Sequence, residues 1–357
     1  MTFEALRAGE TEFLFCAPEQ LARSDVLRVL AAAGPSLMVV DEAHCVSAWG
    51  HDFRPDYLRL GSVAEALGRP VIAALTATAA PPVRAEIAER LGMRKPVEIV
   101  QGFDRPNIWL EVRRVLDGPA PEIVAAVAAE PMPGIVYTAS RKQTGRLTGL
   151  LAEAGIRVAA YHAGLRRAER DEVHGRFMGG DLDVVVATSA FGMGIDKPDV
   201  RFVFHAEIPG SPDAYYQEVG RAGRDGEAAR AMLFYRPEDL ALQRYFTGGL
   251  SDAETLALVA ETGDCRRRFL LGYFGEELAE PCGNCDTCRA GTAEVPQEEA
   301  GPFPLHARVE HRAWGSGQVI RRGEDRLTVL FEEAGYRELE LDVVLEQRLL
   351  TECPAPS

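Results

Sequence analysis

The chain has 357 residues, more than one average domain, and 46% of them are hydrophobic, an ordinary share for a globular protein. No apolar run nears the roughly 18 residues that a membrane span needs, and no basic-then-apolar leader follows Met1, so membrane-embedded and exported classes are set aside in favour of a cytoplasmic, reducing compartment. The formal charge of −15 weighs against a nucleic-acid surface spread over the whole molecule, although net charge does not describe local patches. Lys95, Lys142 and Lys197 are the three lysines; the other cations are Arg, the better bidentate phosphate ligand.

Glu12-Phe13-Leu14-Phe15-Cys16-Ala17-Pro18-Glu19 predicts a strand ending in a Pro turn. Ser36-Leu37-Met38-Val39-Val40 follows Gly34-Pro35 and has the pattern of a parallel-sheet strand buried on both faces. It runs into Asp41-Glu42-Ala43-His44. Open α/β sheets bind ligands at the C-terminal strand edge. There an Asp can hold Mg²⁺, and the adjacent Glu can polarise a water for attack on a γ-phosphate. Taken alone, a solvated acidic pair is the plainer reading. Next comes an aromatic and basic loop, Cys45-Val46-Ser47-Ala48-Trp49-Gly50-His51-Asp52-Phe53-Arg54-Pro55.

The acidic box and this loop resemble the RecQ family of DNA helicases, in superfamily 2, whose DEAH box continues into just such a loop. The resemblance implies ATP and Mg²⁺ as cofactors and catalytic roles for Asp41, Glu42 and His44. It implies nucleic-acid contacts for Trp49, His51, Phe53 and Arg54. It also implies a phosphate loop, G-x-x-x-x-G-K-[ST], upstream of the box. No such string occurs in the chain. The expectation is a first ATPase-type domain entered partway through, and no activity of the chain alone.

Pro70-Val71-Ile72-Ala73-Ala74-Leu75 predicts the next strand, with Pro81-Pro82 opening a helix. Between them, Thr76-Ala77-Thr78 is by resemblance the motif that couples hydrolysis to movement, with Thr76 and Thr78 toward DNA. Phe103-Asp104-Arg105-Pro106-Asn107 resembles the family's bridge into a second ATPase-type domain. Strands then alternate with helical patterns, which predicts another parallel sheet. Gly134 to Thr138 is a strand, and Leu147, Leu150 and Leu151 mark a helix. Val158 to Leu165 is a strand and turn. Tyr161 and His162 could stack on or bond to nucleic acid, or His162 could be an ordinary strand-end histidine.

Asp183 to Thr188 is a strand feeding Ser189-Ala190-Phe191-Gly192-Met193-Gly194-Ile195-Asp196. Its glycines permit close backbone approach to a ligand, and the resemblance puts Gly194 and Asp196 beside a nucleotide. Tyr215 to Gly226 contains Gln217, Arg221 and Arg224. Three residues apart on a helical turn, the two arginines would share a face and grip a transferring phosphate.

Cys265 is followed, after a gap of sixteen residues, by Cys282-Gly283-Asn284-Cys285-Asp286-Thr287-Cys288. Four thiolates at this spacing suit a closed tetrahedral Zn²⁺ site, and the spacing matches the zinc-binding subdomain of RecQ helicases. Arg266-Arg267-Arg268 would let the same helix face phosphates. Cys16 and Cys45 read as small core residues, and Cys353 lies in the tail. Ala290 to Gly301 reads as a linker. Short alternating strands follow, at Ala307–His311, Trp314–Ile320, Leu327–Phe331 and Tyr336–Leu339, and predict a small barrel. V-x-H-x-x-W-G-x-G-x-V resembles the tudor-like module at the C-terminus of UvrD/PcrA-type helicases. Thirteen acidic against seven basic residues from Thr292 onward favour a protein partner there.

The expected architecture is α/β: two RecA-like parallel-sheet domains, the first incomplete, a helical zinc-binding subdomain and a small SH3/tudor-like barrel. The expected boundaries are 1–104, 105–238, 239–290, a linker at 291–302, and 303–350. The resemblance implies an ATP-dependent 3′–5′ DNA helicase of repair and recombination, acting on single-stranded or forked DNA. The competing reading is a DNA- and protein-binding fragment without turnover. A DEAD-type RNA helicase fits the aromatic loop and the cysteines less well.

Overall fold

Gly34 ends a ten-residue helix, α1 (Ser24–Ala33), in the left-handed conformation at φ 62°, and its N–H donates to the Ala31 carbonyl. The chain then enters β1 (Leu37–Val40), which pairs in parallel with β2 (Val71–Ala74), Leu37 opposite Val71 and Val40 opposite Ala74. The computed structural model describes residues 5–6, 8–47, 55–116, 118–192, 195–241, 243, 253–293, 302–303, 307–322, 326–331 and 335–352. The chain divides into two compact units, 1–102 and 103–357.

In the first unit, α2 (Leu60–Ala66) and α3 (Pro81–Arg90) join α1, with Pro81 at the first helical position as the sequence predicts. Val40, Val46, Leu60, Val63, Val83 and Ile87 are buried. Two sequence expectations fail here. Strand β1 is covered on one face only: Leu37 and Val39 are 51% and 53% exposed, and Val71 on β2 is 71% exposed. Alternate residues of a strand point to opposite faces, so one apolar row packs and the other does not. Residues 12–17 form no strand. A strand needs a ladder partner, and among the described residues of this unit β1 and β2 pair only with each other.

The second unit is built on a six-stranded parallel sheet. Its strands are β3 (Ile108–Arg114), β4 (Gly134–Tyr137), β5 (Val158–Tyr161), β6 (Val184–Ala187), β7 (Phe202–His205) and β8 (Ala229–Tyr235), in the order β3-β8-β7-β4-β6-β5. Strands β4, β6 and β7 are buried throughout, because helices cover both faces of a parallel sheet. The period of two splits each strand between two cores. Ile135, Val185 and Val203 pack with Phe177, Phe191 and Tyr215. Val136, Val184, Val186, Phe202 and Phe204 pack with Ile123, Val127, Leu147 and Leu151. The last four belong to α4 (Ala120–Ala129) and α5 (Arg141–Glu153), and Phe177 belongs to α6 (Arg167–Met178). Gly134 is required: a Cβ there would lie 2.1 Å from the Phe202 ring.

Beyond β8 come α8 (Ala253–Glu261), α9 (Arg266–Tyr273) and α10 (Asp286–Ala290). A five-stranded antiparallel module follows: β9 (Arg308–His311), β10 (Gly315–Arg322), β11 (Arg326–Phe331), β12 (Gly335–Glu340) and β13 (Leu350–Glu352), ordered β12-β11-β10-β9-β13. It adds a helix, Leu341–Gln347, and a fifth strand to what the sequence predicts. Its core is Val309, Val319, Leu327, Val329, Phe331, Val344 and Leu350. The single five-stranded sheet fits the small β module that the sequence predicts. No helix among the described residues is long and apolar enough to cross a membrane.

Candidate functional site

Asp41 and Glu42 stand just past the C-terminal end of β1. The β1–β2 pairing continues for one step beyond the strands, as Leu75 N–H donates to Val40 O (2.8 Å) and Ala43 N–H to Leu75 O (2.9 Å). The backbone then turns sharply: Glu42 is left-handed (φ 49°, ψ 44°) and its N–H donates to Asp41 Oδ1 at 2.9 Å. A non-glycine residue in that region carries backbone strain that the surrounding bonds must hold. Asp41 is exposed and Glu42 half-buried, while His44 is buried.

His44 ties the acidic turn to the threonine motif. Its Nδ1 lies 3.0 Å from Thr76 Oγ1 and 3.4 Å from Glu42 Oε2. Thr76 Oγ1 donates its own hydrogen to Thr78 O (2.8 Å) and accepts from Thr78 N–H (3.2 Å). His44 Nε2 lies 3.7 Å from the Cys45 sulfur. Asp41, Glu42, His44, Thr76 and Thr78 thus form one hydrogen-bonded group. Trp49, His51, Phe53 and Arg54 lie outside the described residues.

In the second unit the candidate residues collect at the C-terminal edge of the sheet. Gln217 is half-buried on α7 (Pro212–Val219), whose cap Ser211 accepts from Ala214 N–H at 3.0 Å. The next residue, Glu218, meets buried His205 of β7 at 2.9 Å. His205 stacks on Tyr137 (5.4 Å between centroids), and Tyr137 OH donates to Phe191 O at 2.7 Å. Burial pushes the Tyr137 and Tyr215 hydroxyls well above the usual phenol range, so both stay neutral donors.

Arg221 and Arg224 are not on a helical turn. Helix α7 stops at Val219, and Gly223 turns the chain at φ 56°. Both arginines nevertheless reach the same loop: Arg221 Nη1 donates to Gly192 O at 2.5 Å, and Arg224 Nη1 pairs with Asp196 Oδ1 at 2.7 Å. Two residues the sequence singles out separately are thus paired with each other. Asp196 is 85% exposed, so the pair is weakly held and open to exchange for a phosphate. Gly194 lies outside the described residues.

Tyr161 and His162 follow at the end of β5. Tyr161 is half-buried with its ring 4.7 Å from Phe191, so part of it serves the core. His162 Nδ1 is buried without a hydrogen-bond partner among the described residues. A Cβ at Gly164 would sit 3.2 Å from that nitrogen and 2.9 Å from Arg141 Nη1.

The four cysteines converge. Sγ of Cys265, Cys282, Cys285 and Cys288 all lie within 4.8 Å of one another, and Cys265 and Cys285 are buried. Cys265 caps α9: its Sγ accepts from Arg268 N–H (3.5 Å) and Cys282 N–H (3.3 Å). Asn284 N–H donates to Cys282 Sγ at 3.3 Å. These N–H···S bonds suit thiolates. Crowding prevents the sulfurs from all ionising without a cation: burial and the Cys285 sulfur push Cys288 up to about 11, and bonds to Cys265 and Cys285 push Cys282 up. Four soft ligands with no open position fit structural Zn²⁺.

Comparison with known proteins agrees with this geometry. Residues 122–226 match the Helicase conserved C-terminal domain, and residues 249–289 match the RecQ zinc-binding domain. The chain is 40% identical over 368 aligned residues to the ATP-dependent DNA helicase RecQ of Bacillus subtilis, covering 97% of this chain and 61% of that protein. It is 40% identical to RecQ of Pasteurella multocida, covering 79% of this chain and 46% of that protein. The chain is a RecQ helicase homologue. It spans between about half and three fifths of the length of these relatives. Among solved structures, Mycobacterium smegmatis helicase Lhr bound to ssDNA and AMP-PNP matches with a TM-score of 0.52 and 27% identity, over 76% of this chain and 40% of that one.

One sequence expectation for this RecQ homologue is overturned. Arg266, Arg267 and Arg268 do not face phosphates: they are 7%, 4% and 4% exposed. Arg266 forks onto Asp286 (2.6 and 3.0 Å), Arg267 Nη1 meets Asp104 (2.6 Å) and Arg268 Nε meets Asp264 (3.1 Å). A buried guanidinium needs a carboxylate, and three carboxylates scattered from 104 to 286 supply them. The sequence reading also missed Arg105, which donates to the carbonyls of Gly220 (3.1 Å), Ala222 (2.9 Å) and Gly223 (3.0 Å). Its signal was present, since Phe103 to Asn107 stood out as a bridge, but the turn it grips lies over a hundred residues away.

Proposed function

We propose that this chain belongs to an ATP-dependent 3′–5′ DNA helicase of RecQ type, acting in repair and recombination in the cytoplasm. The observation that carries the reading is the Asp41–Glu42–His44–Thr76–Thr78 group, an acidic turn at a strand's C-terminal edge bonded directly to the threonine motif. ATP with Mg²⁺ supplies the reactive phosphate when bound. Asp41 would hold the ion, and Glu42 would orient and deprotonate the attacking water. His44 would report to Thr76 and Thr78 on the nucleic-acid side. Gln217, Arg221 and Arg224 would meet the transferring phosphate, with Arg224 leaving Asp196, which would then turn to the nucleotide beside Gly194. Trp49, His51, Phe53, Arg54, Tyr161 and His162 would contact single-stranded or forked DNA. The boundaries proposed are 1–104 and 105–238 for the two RecA-like domains, 239–290 for the zinc-binding subdomain and 303–350 for a tudor-like, protein-binding module.

The second reading is a DNA- and protein-binding unit without turnover. One experiment separates the two. A segment bearing a G-x-x-x-x-G-K-[ST] loop is joined ahead of Glu12, and phosphate release is followed with single-stranded DNA and Mg²⁺, with and without that segment. The first reading expects DNA-stimulated turnover that Glu42→Gln and Arg221→Ala each abolish. DNA binding with no turnover in any form supports the second.

A further inference from the structure

Arg221 and Arg224 sit on a turn past the end of α7, where residues 220–226 form no strand and Asp196, the partner of Arg224, is 85% exposed. On one side the turn is tied to the segment before β7: Gly223 N–H donates to Val200 O (2.8 Å), Asp225 N–H to Pro198 O (3.2 Å), and Arg201 Nη2 donates to both oxygens of Asp225 (2.7 and 2.6 Å). Glycine at 223 adds freedom, yet the site is crowded: a Cβ there would lie 2.5 Å from Asn107 Nδ2 and 2.8 Å from Glu227 O. The carbonyls of the turn itself are held by the bridge segment. Arg105 spreads its guanidinium over the Gly220, Ala222 and Gly223 carbonyls, and Asn107 Nδ2 donates to Gly223 O (2.8 Å) and Glu227 O (2.9 Å). Asn107 O then accepts from Ala229 N–H at 3.0 Å. Three carbonyls turned toward one cation leave the opposite side of the turn, with Arg221 and Arg224, facing the Gly192–Asp196 loop.

The bridge is itself gripped from its other side by the cysteine subdomain. Arg267, two residues beyond Cys265, bonds Asp104 Oδ1 and Arg105 O (both 2.6 Å) and also the Ile108 carbonyl. Asn284, between Cys282 and Cys285, donates to Pro106 O (2.8 Å) and Ile108 O (3.2 Å). Asp286 accepts from Val112 N–H at 3.1 Å. Phe103 stacks on Phe274 of the same subdomain at 4.7 Å. The bridge therefore lies between two layers, the arginine turn on one side and the metal knuckle on the other.

We propose that Arg105 is a positioning residue for Arg221 and Arg224, and that the cysteine knuckle steadies Arg105, so that metal occupancy sets how firmly the arginine turn is held. The functional weight of this inference rests on the reading of Arg221 and Arg224 as phosphate-facing; the mechanical claim does not. Lys at 105 keeps the charge but offers a single ammonium where three carbonyls need a planar fork.

The test is hydrogen exchange read by mass spectrometry on the full chain loaded with zinc, as wild type, Arg105→Lys and Arg105→Ala. Exchange in peptides covering 219–229 is expected to rise about tenfold in both variants. Helix α5 (141–153) should stay at the wild-type rate and the zinc content should be unchanged. Stripping zinc from the wild type with a chelator should speed both 103–110 and 219–229. In Arg105→Lys it should speed 103–110 with no further change at 219–229, because the link is already cut. Wild-type protection of 219–229 in both variants, or a rise shared equally by 141–153, overturns the positioning role. If zinc removal loosens only 265–290, the coupling to the metal is wrong. If Arg105→Ala does not fold, Arg105→Lys decides alone. Failure of Arg221→Ala to lower phosphate release would instead refute the phosphate-facing reading and leave the exchange result standing.

Discussion

Arg267 is 4% exposed and meets Asp104, two backbone carbonyls and Cys282. Removing one partner of such a pair leaves a charge with no counterpart, a loss of about 3 kcal/mol or more. Arg267→Ala is expected to lower the unfolding free energy of the second unit, read from urea denaturation, by that amount, whereas Arg157→Ala, at a solvent-exposed pair, should cost far less. Equal effects would place Arg267 among ordinary surface cations. Cys285 is the buried centre of the thiol group, so Cys285→Ser is expected to lose the metal, about one zinc per chain in the wild type. Metal analysis of the two proteins checks it, and zinc kept undiminished in the variant would remove the cysteines from the role of ligands.

His311 gives a pH dependence. Burial lowers its pKa from the model-peptide value of 6.5, and its ring stacks on Trp314 at 4.1 Å. The unfolded chain therefore binds the proton more readily than the folded one. Stability contributed by the neutral ring is complete above about pH 6.5 and falls as the pH drops below it. Melting followed by Trp fluorescence should show the C-terminal module less stable at pH 5.5 than at pH 7.5, and His311→Phe should flatten the difference. A module equally stable at both values would mean that the ring titrates as in solvent.

At the scale of elements, β1 and β2 carry the main departure from expectation. Leu37 and Val39 of β1 and Val71 of β2 form an apolar row that is more than half exposed, and Phe13 and Phe15 are 79% and 93% exposed. Exposed strand edges and apolar patches of this kind associate. The full chain is expected to self-associate with rising concentration, and Leu37→Thr with Val39→Thr to reduce this in sedimentation. No change in the double variant would show that other surfaces drive it. Strands β4 and β6 were legible because each is a continuous apolar run closed by turn residues. The segment at Glu12 was misread for the same reason: its apolar pattern is a strand's, but a pattern does not supply a ladder partner. The end of α7 at Val219 was misread because the Gly220–Gly223 turn depends on Arg105, far away in sequence.

For the whole molecule, the acidic module after Thr292 bears on partners. Deleting residues from Pro302 onward is expected to leave single-stranded DNA affinity within about 1 kcal/mol, less than one good base-stacking contact contributes. A larger loss in a titration at fixed salt would make the module a DNA-binding unit. What the sequence determined by itself is whatever rests on local order: the strand ends that carry Asp41, Glu42 and Asp196, the four cysteines at ligand spacing, and the alternating strands of the tail. Period, turn residues and ligand type are written in neighbouring positions. The tertiary structure alone decided that Arg224 pairs with Asp196, that His44 bonds Thr76, that three consecutive arginines point inward to carboxylates at 104, 264 and 286, and that Arg105 holds the arginine turn. Each of these is a polar group seeking its partner across the chain, and burial forces the partnership without fixing where in the sequence the partner stands.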